Sequence, residues 1–216
     1  MTYLNIVNNV LRRLREEEVT TVTGSTYSTM VGDFVNDAKT LVEQSADWNA
    51  LRQRYFVIQV AANQELITLD NFGAATEILS IINDTDNCIL EYRSKDWFDE
   101  KRYLNEPLSG SPKYYTFNAP NDDGEPVILI YPKNSKQTSF VFNLVARQDD
   151  LTIDDDVLKV PAKPVIHLAV ALLARERGET GGTSTAEYFN IANKYLSDAI
   201  AIDAARHPEE MIFRTI

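Results

Sequence analysis

Along the first 48 positions, apolar residues recur every three or four places, the spacing of one face of an α-helix. Leu4, Val7, Leu11 and Leu14 form the first series, opened by Thr2, a residue type that caps helix N-termini. Arg12, Arg13, Arg15 and Glu16 to Glu18 fill its polar side and end, and the Thr/Gly/Ser run from Thr20 to Ser25 reads as a turn. Tyr27, Met30, Val31, Phe34, Ala38, Leu41 and Ser45 form a second series that closes at Asp47, Trp48 and Asn49. Two amphipathic helices on a short link predict an antiparallel hairpin.

From Leu51 to Val160 the period changes to two or to continuous apolar runs, bounded by Asn, Asp, Gly and Pro. The predicted strands are Tyr55 to Val60, Glu65 to Leu69, Glu77 to Ile82, Cys88 to Tyr92, Lys113 to Asn118, Val127 to Tyr131 and Thr138 to Ala146. Their separators, Asn83 to Asn87, Asn121 to Gly124 and Pro132 to Ser135, are turn formers, so an antiparallel meander or small barrel is expected rather than βαβ units. Ser94 caps one interrupting helix, Lys95 to about Leu104, whose Trp97, Phe98 and Tyr103 are available to lie on the sheet.

Helical spacing returns near Pro161 or Pro164, either of which suits a first turn. Val165 to Ala174 is apolar except for His167, so this helix is expected to be buried on several sides. Gly178 fits the position just past its end, and Ser184-Thr185-Ala186-Glu187 has capping-box spacing for a fourth helix. That helix carries Phe189, Ala192, Tyr195, Leu196, Ala199 and Ile202 and stops at His207-Pro208, leaving a tail. The expected fold is α+β: a four-helix bundle from residues 1–50 and 160–207, an antiparallel β-rich domain, 51–159, inserted between helices two and three, and a tail, 208–216.

Charge narrows the function. With 21 Lys+Arg against 32 Asp+Glu in 216 residues, the net charge is −11, which argues against a basic DNA-gripping module. Most of the excess falls between 49 and 160. A single cysteine, Cys88, forms no intrachain disulfide, and no CxxC or Cys/His cluster is present for zinc. No stretch approaches 18 uninterrupted apolar residues, and the N-terminus lacks a signal-peptide core, so the expectation is a soluble protein made inside a cell, with no membrane partner.

Candidate chemistry thins out under the same scrutiny. Gly178 to Ser184 has the glycines of a phosphate loop but follows a helix and carries Thr183 where lysine is needed, so it reads as a turn. Asp149, Asp150, Asp154, Asp155 and Asp156 lack the alternation and glycine of a calcium loop and read as a solvated acidic loop. His167 sits in an apolar helix as a core or interface histidine, and His207 at a helix end. No nucleophile motif such as GxSxG accompanies either, so no catalytic residue, metal or cofactor is expected. Tyr114, Tyr115, Phe117, Phe140 and Phe142 have the alternation of a base-stacking platform, yet the acidic surroundings favour sheet packing.

Taken in order, these features resemble the head-to-tail adaptor proteins of tailed bacteriophages, of the tail tubular protein A type of short-tailed phages. The resemblance rests on Ser111-Pro112-Lys113-Tyr114-Tyr115-Thr116-Phe117, Ile128-Leu129-Ile130-Tyr131-Pro132, the β stretch to Ala146, the acidic loop, Val160-Pro161, the apolar helix from Val165, and Trp48 before the insertion. The Asn134-Ser135 turn departs from the proline- or aspartate-rich turn common in that family. The resemblance implies a structural virion protein, assembled in the host bacterial cytoplasm as a dodecamer. The ring would join the portal to the nozzle or tail-tube protein, with tail fibres as further neighbours, and let DNA pass unbound through its channel during ejection. Under it, Val165, Leu168, Leu172 and Leu173 become subunit-interface residues, and Met211, Ile212, Phe213 and Ile216 a portal-docking tail that orders on binding. A non-viral soluble module using the β insertion to bind peptide or sugar is the alternative, and an enzyme with a spatially assembled carboxylate pair a third reading.

Overall fold

The computed structural model describes residues 1–70, 72, 76–104, 108–178 and 183–206, the side chains of 183–185 excepted. The chain is α+β and divides into two units, Met1–Ala50 with Gln148–Ile216, and Leu51–Arg147.

In the first unit, α1 (Tyr3–Arg13) buries Tyr3, Ile6, Val7, Val10 and Leu11. This stripe is rotated from the expected one, leaving Leu4 and Leu14 half-buried. Arg15 ends the helix in the left-handed region (φ 62°), and Glu16 N–H donates back to Leu11 O over 2.9 Å, which closes the last turn. The amide and carbonyl of Asn8 pair with the Val19 backbone, each over 2.9 Å, and hold the following loop. Helix α2 (Thr26–Gln44) starts at a reciprocal cap in which Ser25 and Ser28 side chains each accept the other's backbone N–H at 3.0 Å. Its buried face runs through Ser28, Val31, Val35, Ala38, Lys39 and Val42, so Leu41, expected on that face, is exposed. At Gly32 a Cβ would stand 2.2 Å from the Tyr3 hydroxyl, which is why the two helices meet so closely there.

Helix α4 (Ala162–Glu176) packs against α1, α2 and α5 (Thr183–Arg206). Contact with three helices explains how one chain buries a segment apolar on nearly every side. Gly178 adopts φ +68° just past its end, as its position predicted. Helix α5 already begins at Thr183, one residue before the expected cap Ser184; the side chains of Ser184 and Thr185, the 179–182 turn, and His207 with the whole tail lie outside what is described.

The first unit also takes in the segment from Gln148 onward, earlier than the expected return at 160. Residues 148–160 are bonded to α1 and α2: Tyr3 N–H donates to Asp156 O at 2.8 Å, Leu158 N–H to Met1 O at 3.0 Å, and Asn36 exchanges two bonds with the Leu151 backbone. The solvated loop expected from its composition is therefore a strap fixed by backbone hydrogen bonds.

In the second unit, β1 (Arg52–Val60), β3 (Glu77–Asn83), β4 (Cys88–Ile89) and β10 (Thr138–Val145) form an antiparallel sheet in the order β1-β10-β3-β4. A second sheet has the order β2-β8-β7-β5, from β2 (Leu66–Thr68), β5 (Glu91–Tyr92), β7 (Tyr114–Phe117) and β8 (Val127–Tyr131). Among the described residues neither a meander nor a barrel results, because β10 threads between β1 and β3 and both sheets stay open. The expected strand Cys88 to Tyr92 splits in two, its second half pairing parallel with β7. Within the expected turn at Pro132 to Ser135, β9 (Lys133–Asn134) pairs parallel with β6 (Ser109–Gly110).

Between the sheets lies a core that includes Ile81, Phe140, Phe142, Leu144, Ile128 and Ile130. All five residues of β8 are buried because Leu129 and Tyr131 point the other way, under Phe98 of α3 (Lys95–Asp99). Ser94 caps α3, accepting from Trp97 N–H, and a π turn, Glu100–Leu104, follows. Tyr103, expected on the sheet, is exposed instead, because the π turn carries it past the cluster.

Candidate functional site

The alternating aromatics are used mostly in sheet packing, the reading that their acidic surroundings favoured. Tyr115, Phe140 and Phe142 lie in the inter-sheet core, and Tyr114 is covered by Trp97, with ring centroids 4.9 Å apart. The remaining surface chemistry belongs to the helices and the strap.

Lys39 is the group whose placement sequence spacing did not reveal. Only 1% of its side chain is exposed, and its Nζ donates to Gln148 O at 2.6 Å and Asp149 O at 3.1 Å. Glu43 Oε1 lies 3.8 Å away one helical turn on, and Asp150 Oδ1 3.6 Å away. The signal was present: Lys39 and Glu43 are a turn apart beside the apolar series Val35, Ala38 and Val42, where charges require partners.

The aspartates act as backbone acceptors. Asp156 Oδ2 accepts from Thr152 N–H at 2.7 Å and Ile153 N–H at 2.8 Å, and these bonds hold its carboxyl below its usual range. Asp154 Oδ1 accepts from Val22 N–H at 2.9 Å. Burial, with the carboxylates of Asp33, Asp150, Asp154 and Asp156, pushes the Tyr3 hydroxyl up to about 12. Among the described residues, no group of three or more His, Cys, Asp or Glu could hold a metal ion.

Of the four residues expected at a subunit interface, Val165 and Leu173 are fully buried in their own unit, while Leu168 and Leu172 stay partly exposed on α4. Helix α5 buries Ala192 and exposes Tyr188, Ile191 and Ile202. Near the start of α4 and the end of α5 lies a groove of about 450 Å³, lined by Pro161, Pro164, Tyr195, Ala199, Ile202 and Arg206 among others. Met211, Ile212, Phe213 and Ile216 lie outside the described residues. The far end of α4 is anchored by Arg177, whose Nη2 donates to Glu16 Oε1 at 2.7 Å and to the Tyr27 hydroxyl.

His167 stacks on Tyr195, centroids 4.4 Å apart and planes at 16°, with Lys163 Nζ 5.8 Å from the same ring. Burial, then Arg13 and Lys163, lower its pKa from the ordinary histidine value. The folded chain therefore disfavours imidazolium. The contribution is intact above the unfolded pKa, about 6.5, and declines as pH falls below it, because the unfolded chain binds the proton more readily. Replacement His167→Phe keeps a stacking ring without titration, so its melting temperature should fall less than that of wild type between about pH 7 and pH 5. Equal falls by calorimetry would show that His167 is not the sensor.

The family model described as SU10 adaptor protein matches residues 1–211. Comparison with curated proteins found no match.

Proposed function

The chain belongs to the SU10 adaptor protein family, phage head-to-tail adaptors, and from that premise we propose that it assembles as a ring, about twelve copies around, between portal and tail nozzle. As a family member it is a structural component of the virion neck, with interactions toward portal and tail proteins. The whole-chain family match carries the reading. In our reading the helical unit is a four-helix bundle interrupted by the β insertion, the ring is built in the host cytoplasm, and no step is catalytic.

Physical support comes from what the helical unit leaves uncovered. Leu168 and Leu172 on α4, with Tyr188 and Ile191 on α5, are apolar positions suited to a neighbouring copy. The net charge of −11, multiplied around a ring, gives a conduit whose field repels phosphate, so DNA slides through without being held. The tail carrying Met211, Ile212, Phe213 and Ile216 docks on the portal.

Deletion of residues 209–216 tests the docking. In sedimentation with portal oligomers, the full chain should co-migrate with portal, and the truncated chain should bind at least about tenfold more weakly. Equal binding by both forms would reject the tail as the docking element, and failure of the full chain to bind would reject the adaptor role.

A further inference from the structure

The outer face of the β1-β10-β3-β4 sheet carries an apolar row that crosses all four strands. Register places Val57 beside Val141, Val141 beside Ile82, and Ile82 beside Ile89. The inward neighbours Phe140, Phe142 and Leu144 alternate with this row and fill the core, so the row points away from it. Val57 is 51% and Ile89 68% exposed. Four β-branched side chains side by side on an open face are unusual for a surface with no partner.

The margin of the same face is basic and strained. The β1–β10 register breaks between Gln53 and Phe56, and within this bulge Tyr55 takes φ +63° and is 78% exposed. A bulge re-aims a side chain, and a non-glycine residue held in the left-handed region is a cost the fold retains. Arg52 and Arg54 flank it, and Arg52 buries its Nε without a hydrogen-bond acceptor among the described residues. These residues, with Leu79 and Ile82, line a depression of about 300 Å³. What fits here is a segment bearing carboxylates and aliphatic side chains.

This chain displays such a segment. On the strap, Ile153 is 65% and Val157 58% exposed, interleaved with Asp149, Asp150 and Asp155, whose carboxylates are also exposed. We propose that the strap of one copy seats on the outer sheet face of the next, aliphatic on aliphatic and aspartate on arginine. The proposal rests on the ring reading and names its seam. Because donor and acceptor surfaces differ, the contact is head-to-tail, the type that propagates and closes into a ring.

Charge exchange tests it, using the full chain with the portal of the same particle and reading assembly by native mass spectrometry. Arg54→Glu and Asp155→Arg are exposed substitutions, so melting temperatures should stay near that of wild type. Each single variant should assemble at least about tenfold more weakly, because like charges then face each other. The double variant, and an equal mixture of the two singles, should regain assembly, since every contact again pairs opposite charges. Assembly of both singles at wild-type strength would overturn the seam while leaving the ring intact. Loss in the singles without recovery in the double variant or the mixture would also overturn it, and a wild-type chain that never oligomerises would overturn the ring and the seam together.

Discussion

Replacing Lys39 by alanine should destabilise the helical unit by about 3 kcal/mol or more, the usual cost of breaking a buried charge pair. The ammonium is 1% exposed and satisfies two strap carbonyls, while the Glu43 side chain beside it is equally buried. Its loss takes away the buried cation that the two strap carbonyls and the Glu43 carboxylate face. A drop in melting temperature of roughly 10 °C follows for a unit of this size. The double replacement Lys39→Met with Glu43→Leu should recover most of it, because apolar residues of similar volume often match or exceed a buried pair. Proteolysis should then separate the two effects: Lys39→Ala exposes the strap near Asp149 to cleavage, and the double variant, lacking the same two bonds, remains more sensitive there than wild type. A Lys39→Ala chain within about 0.5 kcal/mol of wild type would show that the strap is held by its backbone bonds alone.

Leu172→Glu should abolish ring formation while helical circular dichroism and melting remain close to those of wild type. Leu172 is partly exposed, so a carboxylate there can reach water in the free chain, whereas Val165 and Leu173 are fully buried and their replacement would confound folding with assembly. In a packed contact the same carboxylate is stripped of water with no cation given to it, and burying one leucine side chain is itself worth about 1.5 to 3 kcal/mol before ordering costs. Repeated at every seam of a ring, that loss prevents closure. Rings of undiminished mass from Leu172→Glu would remove α4 from the interface.

Local periodicity made much of this fold legible. The 3.6-residue series at Val7 and Leu11, the alternation in Thr138 to Val145 and the apolar run at Val165 all gave elements at the expected places, because each pattern reflects a face that one neighbouring layer must cover. Non-local facts were hidden. Insertion of β10 between β1 and β3 depends on pairing across more than fifty residues, and single-strand alternation is silent about partners. The strap looked like a solvated loop because five aspartates dominate its composition, while its anchoring uses backbone groups that every residue carries. Tyr55 was readable as a strand residue, but the bulge that turns it outward leaves no mark in residue type.

The same limits apply to the functional surfaces. An apolar helix announces that it needs neighbours without saying whose, and three of α4's neighbours prove to be helices of the same chain. The interface expectation therefore contracts to the partly exposed Leu168 and Leu172. Charge, by contrast, was interpretable from the outset as an argument against gripping DNA, and the family match gives that argument its setting.

The most direct test of the head-to-tail adaptor role is the mass and symmetry of the complex formed when the full chain meets its portal, by native mass spectrometry with cryo-electron microscopy. The account predicts a closed ring of about twelve chains coaxial with the portal. A chain that stays monomeric beside the portal, or binds it as scattered single copies, would contradict it.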